Sequence, residues 1–337
     1  LKLNQINILI GQNGAGKSNF IQFMSLMNMI IKKNLKNYVA SRGGTDAFLH
    51  NGKKGSMTLS GSLYFSPNHY EFTLAPDSND NFYFQSEKTG YFTSVTDIAN
   101  AGHETNLWEL ISKNNEVASY ILKALSSWVV YHFHDTGFSS PLKGSGKIDD
   151  NKFLRADGSN LASFLYLLKE KHFGRYEKIE EAVRLVAPFF NSFDLAPQNL
   201  SPENIRLEWK QRNSDQYFNA HHLSDGTLRF ICLATLLLQP EPPAAIIIDE
   251  PELGLHPFAL AVLAELIKSA AEKGTQIICS TQSVTFINQF STEDIIVVDR
   301  NNGESLFNRL NEEALKEWLE DYAVGELWEK NLIGGRP

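Results

Sequence analysis

Apolar residues gather along this chain in two rhythms. Short, mainly apolar runs, rich in β-branched residues, stand at 3–10, 244–248, 275–280 and 295–298, the pattern of strands buried on both faces of a parallel sheet. Alternating apolar and polar positions mark 57–65, 70–74 and 81–85, with turns such as Ser66-Pro67-Asn68 between them, and predict a separate antiparallel group. Further strands are expected at 128–134, 205–209, 216–220 and 305–310. Spacing near three and four predicts helices over 19–31, 103–126, 159–173, 176–187 and 230–238, with another from about Glu312. The polar stretch 34–56, with Arg42-Gly43-Gly44-Thr45 at its centre, reads as a loop. No heptad pattern is sustained, which excludes a long coiled-coil arm.

Directly after the first run, residues 11–18 read Gly-Gln-Asn-Gly-Ala-Gly-Lys-Ser, the G-x-x-x-x-G-K-S spacing of a phosphate-binding loop. Glycines let backbone N–H groups curl around phosphates, and the helix that follows aims its positive end at them. Lys17 is placed to reach the β- and γ-phosphates and Ser18 to offer a hydroxyl to Mg²⁺, while Asn13, Gly14, Ala15, Gly16 and Asn19 complete the cradle.

The run at 244–248 ends in Asp249 and Glu250. Two acids at the carboxyl end of a buried strand suit metal-assisted phosphoryl transfer, with Asp249 in the Mg²⁺ shell and Glu250 as the base for the attacking water. An acidic cap for the helix after Pro257 would use one carboxylate and leave the other without a task. Ahead of this strand, Leu223-Ser224-Asp225-Gly226-Thr227 opens the helical stretch 230–238, with Ser224 as its N-cap. Behind it, the run 275–280 leads into Thr281-Gln282-Ser283.

In that order, the phosphate loop, Leu223-Ser224-Asp225-Gly226-Thr227, Asp249-Glu250-Pro251-Glu252-Leu253-Gly254-Leu255-His256-Pro257 and Ser280-Thr281-Gln282-Ser283 resemble the soluble ABC-type ATPases of the SMC, RecF and OLD (overcoming-lysogenisation-defect) groups. The match is greatest to the compact bacterial "AAA family" ATPases related to OLD that occur in anti-phage defence cassettes. Residues 131–136, 157–162 and 325–330 add weaker likeness. The resemblance implies an α/β fold, a P-loop NTPase of ABC-ATPase head type, with a mainly parallel sheet, an antiparallel β lobe and a helical insertion.

The division expected is 1–90 and 201–310 as the two parts of the ATPase domain, 91–200 as a mainly helical insertion and 311–337 as a helical tail. In the family pattern the signature Ser224 and Gly226 would touch, in trans, the γ-phosphate held by the opposite subunit. An ATP-bound head-to-tail dimer or higher oligomer follows from that. Asp225 and Thr227 depart from the family's signature. Gln282 stands where a switch histidine is usual, and its amide can contact a γ-phosphate or the water without the histidine's titration. His256 has two readings, a contact on the partner subunit or a residue that simply precedes a helix starting at Pro257. Spacing does not single out a Q-loop glutamine, for which Gln85 is a weak candidate. Relatives carry an earlier strand pair, so a short segment ahead of Leu1 is expected to help hold the adenine.

Composition narrows the setting. With 337 residues, 42% hydrophobic and 21% charged, the chain can bury a large core. No apolar run approaches the ~20 residues of a membrane span and no signal peptide is visible, so a cytoplasmic protein is expected. Cys232 and Cys279 lie in apolar contexts, as small core residues do. Lys+Arg 31 against Asp+Glu 39 gives a net charge of −8, which argues against indiscriminate coating of DNA. Two local basic sets, Lys32, Lys33, Lys36, Arg42, Lys53 and Lys54, and Lys169, Lys171, Arg175 and Lys178, suit either DNA contacts or solvated faces. His132 and His134, beside Asp135, suit either a metal or ordinary hydrogen bonding.

The chain beyond residue 298 is too short for the Toprim nuclease domain of OLD proteins, and no H-N-H or D-x-D cluster stands in a nuclease context. The leading expectation is therefore an ATP- and Mg²⁺-dependent dimeric switch that controls a separate effector, a nuclease or toxin, in anti-phage defence. The effector would dock on 103–187 or near Trp318 and Trp328, although each tryptophan taken alone suits a core that closes the sheet slightly better. The alternatives are a RecF- or SMC-like DNA-maintenance ATPase and an ATP-binding scaffold with little turnover.

Overall fold

The four apolar runs become neighbouring strands of one sheet in the computed structural model of the chain, which describes residues 1–335. Its six strands lie in the order Glu304–Arg309, Ile295–Asn301, Ile6–Ile10, Gln276–Ser280, Ala245–Asp249 and Trp128–Tyr131. Ile6–Ile10 runs parallel to Gln276–Ser280 on one side and to Ile295–Asn301 on the other, and Ala245–Asp249 is parallel to Gln276–Ser280. Every residue of Ile6–Ile10 is buried, as covering on both faces requires. The hairpin from Ile295–Asn301 to Glu304–Arg309 is antiparallel and closes one edge.

Parallel alignment decides where the chemistry goes. Leu9 pairs with Ser280, and Asp249 pairs with the same Ser280. The segments that follow these strands, beginning at Gly11, Glu250 and Thr281, therefore leave the sheet along one carboxyl edge, where open α/β sheets place their ligands.

Two compact units make up the chain. The first comprises 1–21 and 130–337. It holds five strands of the six-stranded sheet and the end of the sixth, a three-stranded antiparallel sheet (Phe190–Phe193, Glu208–Gln211, Tyr217–Asn219) and the pair Ser145–Lys147 with Asn204–Arg206. Its helices include Leu161–Lys171, Phe173–Val186, Asp225–Leu238 and Pro257–Glu272. The second unit, 22–129, holds a four-stranded antiparallel sheet of Leu59–Phe65, Asn68–Pro76, Phe82–Tyr91 and Ser94–Asp97. Phe72, Leu74, Phe82 and Phe84 from this sheet pack with Met27, Ile30, Ile121 and Leu125 in its core. The buried Glu87 is satisfied there by Tyr70 Oη (2.7 Å), the Asn106 amide (3.0 Å) and Thr105, and burial raises its carboxyl above the usual range.

Several expectations need correction. The helix expected over 103–126 is two, Leu107–Ser112 and Glu116–Ser126. Asn114 takes a left-handed conformation (φ 58°) and Asn115 Oδ1 caps the second helix by accepting from the Ala118 amide at 2.8 Å, so local side-chain bonding outweighs the apolar spacing. The stretch 34–56 contains the helix Leu35–Ser41, held by buried Leu35 and Val39 on one face. A fourth lobe strand, Ser94–Asp97, has no apolar signature because all four residues are exposed. The strand expected over 128–134 ends at Tyr131 and belongs to the main sheet. Trp328 is 1% exposed and donates Nε1–H to the Gly335 carbonyl at 3.1 Å, so it is a core residue and no docking surface. Trp318 is 47% exposed.

Candidate nucleotide site

A concavity of about 280 Å³ opens where the phosphate loop meets the acid pair, lined by Gln12, Asn13, Gly14, Gly16, Lys17, Ser18, Asn19, Glu250, Gln282 and Arg300. Eight of these were legible as candidates, and they come from three segments distant in sequence. The loop owes its shape to glycine at defined points. Gly16 has φ 118°, and a Cβ there would overlap the Ser305 side chain of the edge hairpin. The helix Lys17–Ile31 starts at the loop's end, so its free amides face the concavity. Ala15 is buried behind the loop. Larger concavities of about 560 Å³, beside Asp194 and Tyr217, and 670 Å³, beside Lys171 and Arg175, carry no phosphate loop.

Lys17 is 6% exposed, with Nζ donating to the carbonyls of Gly11 and, at 3.2 Å, Gln12. Burial lowers its pKa, while Glu250, Asp249 and Glu252 oppose the shift. Ser280 Oγ donates to Asp249 Oδ1, which fixes the aspartate at the strand end beside the loop. Ser18, Asp249 and a phosphate oxygen are the hard oxygen donors Mg²⁺ takes, so the residues fit the ion.

Glu250 has φ 43°, a left-handed backbone that costs a non-glycine residue about 1–3 kcal/mol and marks functional turns. Its amide donates to the Ser280 carbonyl at 3.0 Å. Its Oε1 accepts from Gln282 Nε2 at 2.6 Å. The structure thus brings Lys17, Glu250 and Gln282 to one concavity. Arg300 is an addition that sequence reasoning missed. It follows Asp299 near the end of the strand Ile295–Asn301, past the buried run, and its Nη1 lies 3.5 Å from the Gly14 carbonyl.

Ser224 and Gly226 do not line this concavity. Ser224 is exposed and caps the helix Asp225–Leu238, its Oγ accepting from the Thr227 amide at 3.1 Å. Gly226 packs against the Gly254 carbonyl, where a Cβ would overlap it. Arg229, one turn on, ties this helix to the carbonyls of Phe133 (3.0 Å) and Leu253. The start of the helix Asp225–Leu238 and the turn at Leu253-Gly254 therefore pack as one seam. Gly226→Val is expected to destabilise the protein by about 1–3 kcal/mol through overpacking, read as a fall of about 2–4 °C in Tm per kcal/mol; an unchanged Tm would show that the seam yields freely.

His256 caps the helix Pro257–Glu272, Nδ1 accepting from the Phe258 amide at 3.3 Å. His132 and His134 are exposed with ring centroids 6.4 Å apart, and no group of three or more metal-ligating side chains occurs among the described residues. Gln85 is an exposed residue of Phe82–Tyr91 and does not line the concavity. Cys232 and Cys279 are buried, and burial pushes both thiols well above their ordinary range.

Sheet order, a phosphate loop on the central strand and two acids one strand removed define the class, an ABC- and SMC-like P-loop ATPase domain. The family model described as "AAA domain, putative AbiEii toxin, Type IV TA system" matches residues 6–288, and the chain belongs to that family. In fold it is similar to a solved SMC head bound to the C-winged helix domain of ScpA, with a TM-score of 0.56, 16% identity and 94% of each chain covered. A "Putative ABC transporter ATP-binding protein" of Methanosarcina acetivorans is 30% identical over 126 residues, 34% of this chain and 45% of that protein. The ABC-type transporter ATP-binding protein EcsA of Bacillus subtilis is 25% identical over 172 residues, 51% of this chain and 66% of that one. The chain thus spans less than two thirds of the length of these curated relatives.

Proposed function

We propose that this chain hydrolyses ATP with Mg²⁺ at a site completed by a second copy of itself, and that closing and opening of the dimer controls a separate effector protein. The observation that carries the reading is the convergence of Lys17, Ser18, Glu250 and Gln282 on one concavity beside Asp249. Lys17 and Mg²⁺ neutralise the phosphates, Glu250 takes the water's proton, and Gln282 orients that water. Glu250 also argues against a scaffold without turnover, which has no need of a placed base.

Ser224 supports the dimer. It is exposed, lies outside its own chain's concavity and caps a helix whose N-terminal amides suit a phosphate. A solved SMC head in complex with a domain of ScpA supports the idea that such heads act on another protein. The family description carries the words "putative AbiEii toxin, Type IV TA system"; a nuclease or toxin as the effector, and anti-phage defence as the setting, are part of the same proposal. No helix among the described residues is long and apolar enough to cross a membrane, in keeping with the proposed cytoplasmic setting. The competing DNA-maintenance reading would show as DNA-stimulated turnover.

The direct test is phosphate release from ATP by the purified chain under single-turnover conditions. Hydrolysis is expected with Mg²⁺ and to vanish with EDTA, because without the metal Lys17 is left to offset the charge of the transferring phosphoryl group and Asp249 only adds to it. Undiminished release in EDTA would overturn the metal assignment.

A further inference from the structure

Glu252 lies two residues beyond the base, in a turn where no motif assigns it chemistry, and it does not line the concavity. Its Oε1 nevertheless accepts two hydrogen bonds from the opposite strand end, from Thr281 Oγ1 at 2.6 Å and from the Gln282 amide at 2.9 Å. Gln282 in turn donates Nε2–H to Glu250 at 2.6 Å. Glu252, Gln282 and Glu250 thus form a closed circuit between two turns some thirty residues apart in sequence. We propose that Glu252 is a positioning residue, whose carboxylate pins the Thr281–Gln282 turn so that the Gln282 amide faces Glu250 and the attacking water. The proposal rests on the reading of Glu250 as base and Gln282 as its partner.

Geometry separates this role from simple packing. Glu252 Oε2 is buried and has no hydrogen-bond partner among the described residues, an arrangement that burdens the fold. A leucine would fill the same volume without that burden, so what the position uses is the acceptor at Oε1. Burial raises the Glu252 carboxyl above its ordinary range, opposed by the bonds from Thr281 and Gln282. Thr281 is fully buried and its Oγ1 also accepts from the Ser283 amide at 3.0 Å. Ser283 caps the short helix Val284–Ile287. The clamp therefore fixes the whole departure of the chain from the strand Gln276–Ser280, and the side chain of Gln282, which is itself exposed, inherits its direction from that backbone.

The constraint on Glu250 points the same way. Its left-handed backbone must be held by its surroundings, and the residues that hold it are Ser280, through the amide, and Gln282, through the carboxylate. Releasing Glu252 frees Gln282 and leaves the base without its lateral contact. Misplacing reacting groups by about an ångström costs roughly 10²-fold in rate.

The test is a double-mutant cycle on ATP hydrolysis at protein excess, with nucleotide affinity and Tm recorded for each protein. Glu252→Ala is expected to lower kcat about 10²-fold while ATP affinity stays within about threefold, since the phosphate loop is untouched. Glu252→Gln keeps a carbonyl acceptor at Oε1 and is expected to restore most of that loss. Gln282→Ala is expected to fall to a similar rate, and adding Glu252→Ala to it to cost little more, because one residue acts through the other. Should Glu252→Ala fail to fold, Thr281→Val, which removes one donor and keeps the amide bond, is expected to lose several-fold in kcat with unchanged affinity. Losses that multiply in the double variant, a Glu252→Gln as damaged as Glu252→Ala, or a Thr281→Val with wild-type kcat would each overturn the proposal. A Glu250→Gln control that turns over normally would instead overturn the base, whatever the coupling between 252 and 282.

Discussion

Glu250→Gln is expected to bind Mg·ATP within about threefold of the wild-type affinity and to hydrolyse it at least ~10²-fold more slowly. The change swaps one carboxylate oxygen for an amide nitrogen in a side chain of the same shape. The remaining Oε1 still accepts from Gln282 Nε2, so the turn and its left-handed backbone keep their support. Only the ability to accept a proton from water is lost. Binding survives because Lys17, Ser18 and the loop amides hold the phosphates from the other side of the concavity. With hydrolysis stopped, the closed state is not discharged and a dimer should accumulate, visible by light scattering on adding ATP. Turnover at the wild-type rate would sink the base assignment. A protein that stays monomeric with ATP under these trapping conditions would sink the dimer.

Legibility in the sequence followed the range of the physical signal. The phosphate loop reads directly because its eight residues are contiguous and its fixed positions, Gly11, Gly16, Lys17 and Ser18, stand at the motif's spacing. Asp249 and Glu250 read nearly as well, since an apolar strand ending in two acids has few other uses. The parallel sheet follows from mainly apolar, β-branched runs, and the joint exit of residues 11, 250 and 281 follows from the sheet. Contacts across thirty residues or more carry no local pattern. The pairing of Glu252 with Thr281 and Gln282 is of this kind; the one trace was a third acid in Asp249-Glu250-Pro251-Glu252, more than the chemistry of the pair requires. Arg300 reaches the loop because strand Ile295–Asn301 lies beside Ile6–Ile10, which its own neighbours in sequence do not reveal. Trp328 had two readings in the sequence, a core residue or part of a docking surface, and a long-range contact decides for the core. Gly335 folds back, its amide donating to Asp299 at 2.7 Å and its carbonyl accepting from the indole at 3.1 Å.

Lys17→Ala is expected to abolish ATP binding, because the concavity loses the buried cation that faces the loop carbonyls and the phosphates lose that counter-charge. The same variant supplies the sharpest test of geometry. Ser224→Arg puts a bulky cation at the exposed cap of Asp225–Leu238 while leaving its own chain's concavity intact, since Ser224 does not line it. Each variant alone should be inactive as a homodimer. If signature and phosphate loop meet only between subunits, a mixed dimer has one site in which both defects coincide and one that is wholly wild type. Random assortment makes half the dimers mixed, so equimolar mixing should recover roughly a quarter of wild-type hydrolysis when sites work independently. Sites completed within one chain would give no recovery, because every chain in the mixture carries a defect of its own. Titrating Lys17→Ala into a fixed amount of Ser224→Arg separates these cases further. Recovery in trans should rise to a plateau as the Ser224→Arg chains are drawn into mixed pairs, whereas a flat response at the level of the inactive parents would overturn the head-to-tail arrangement.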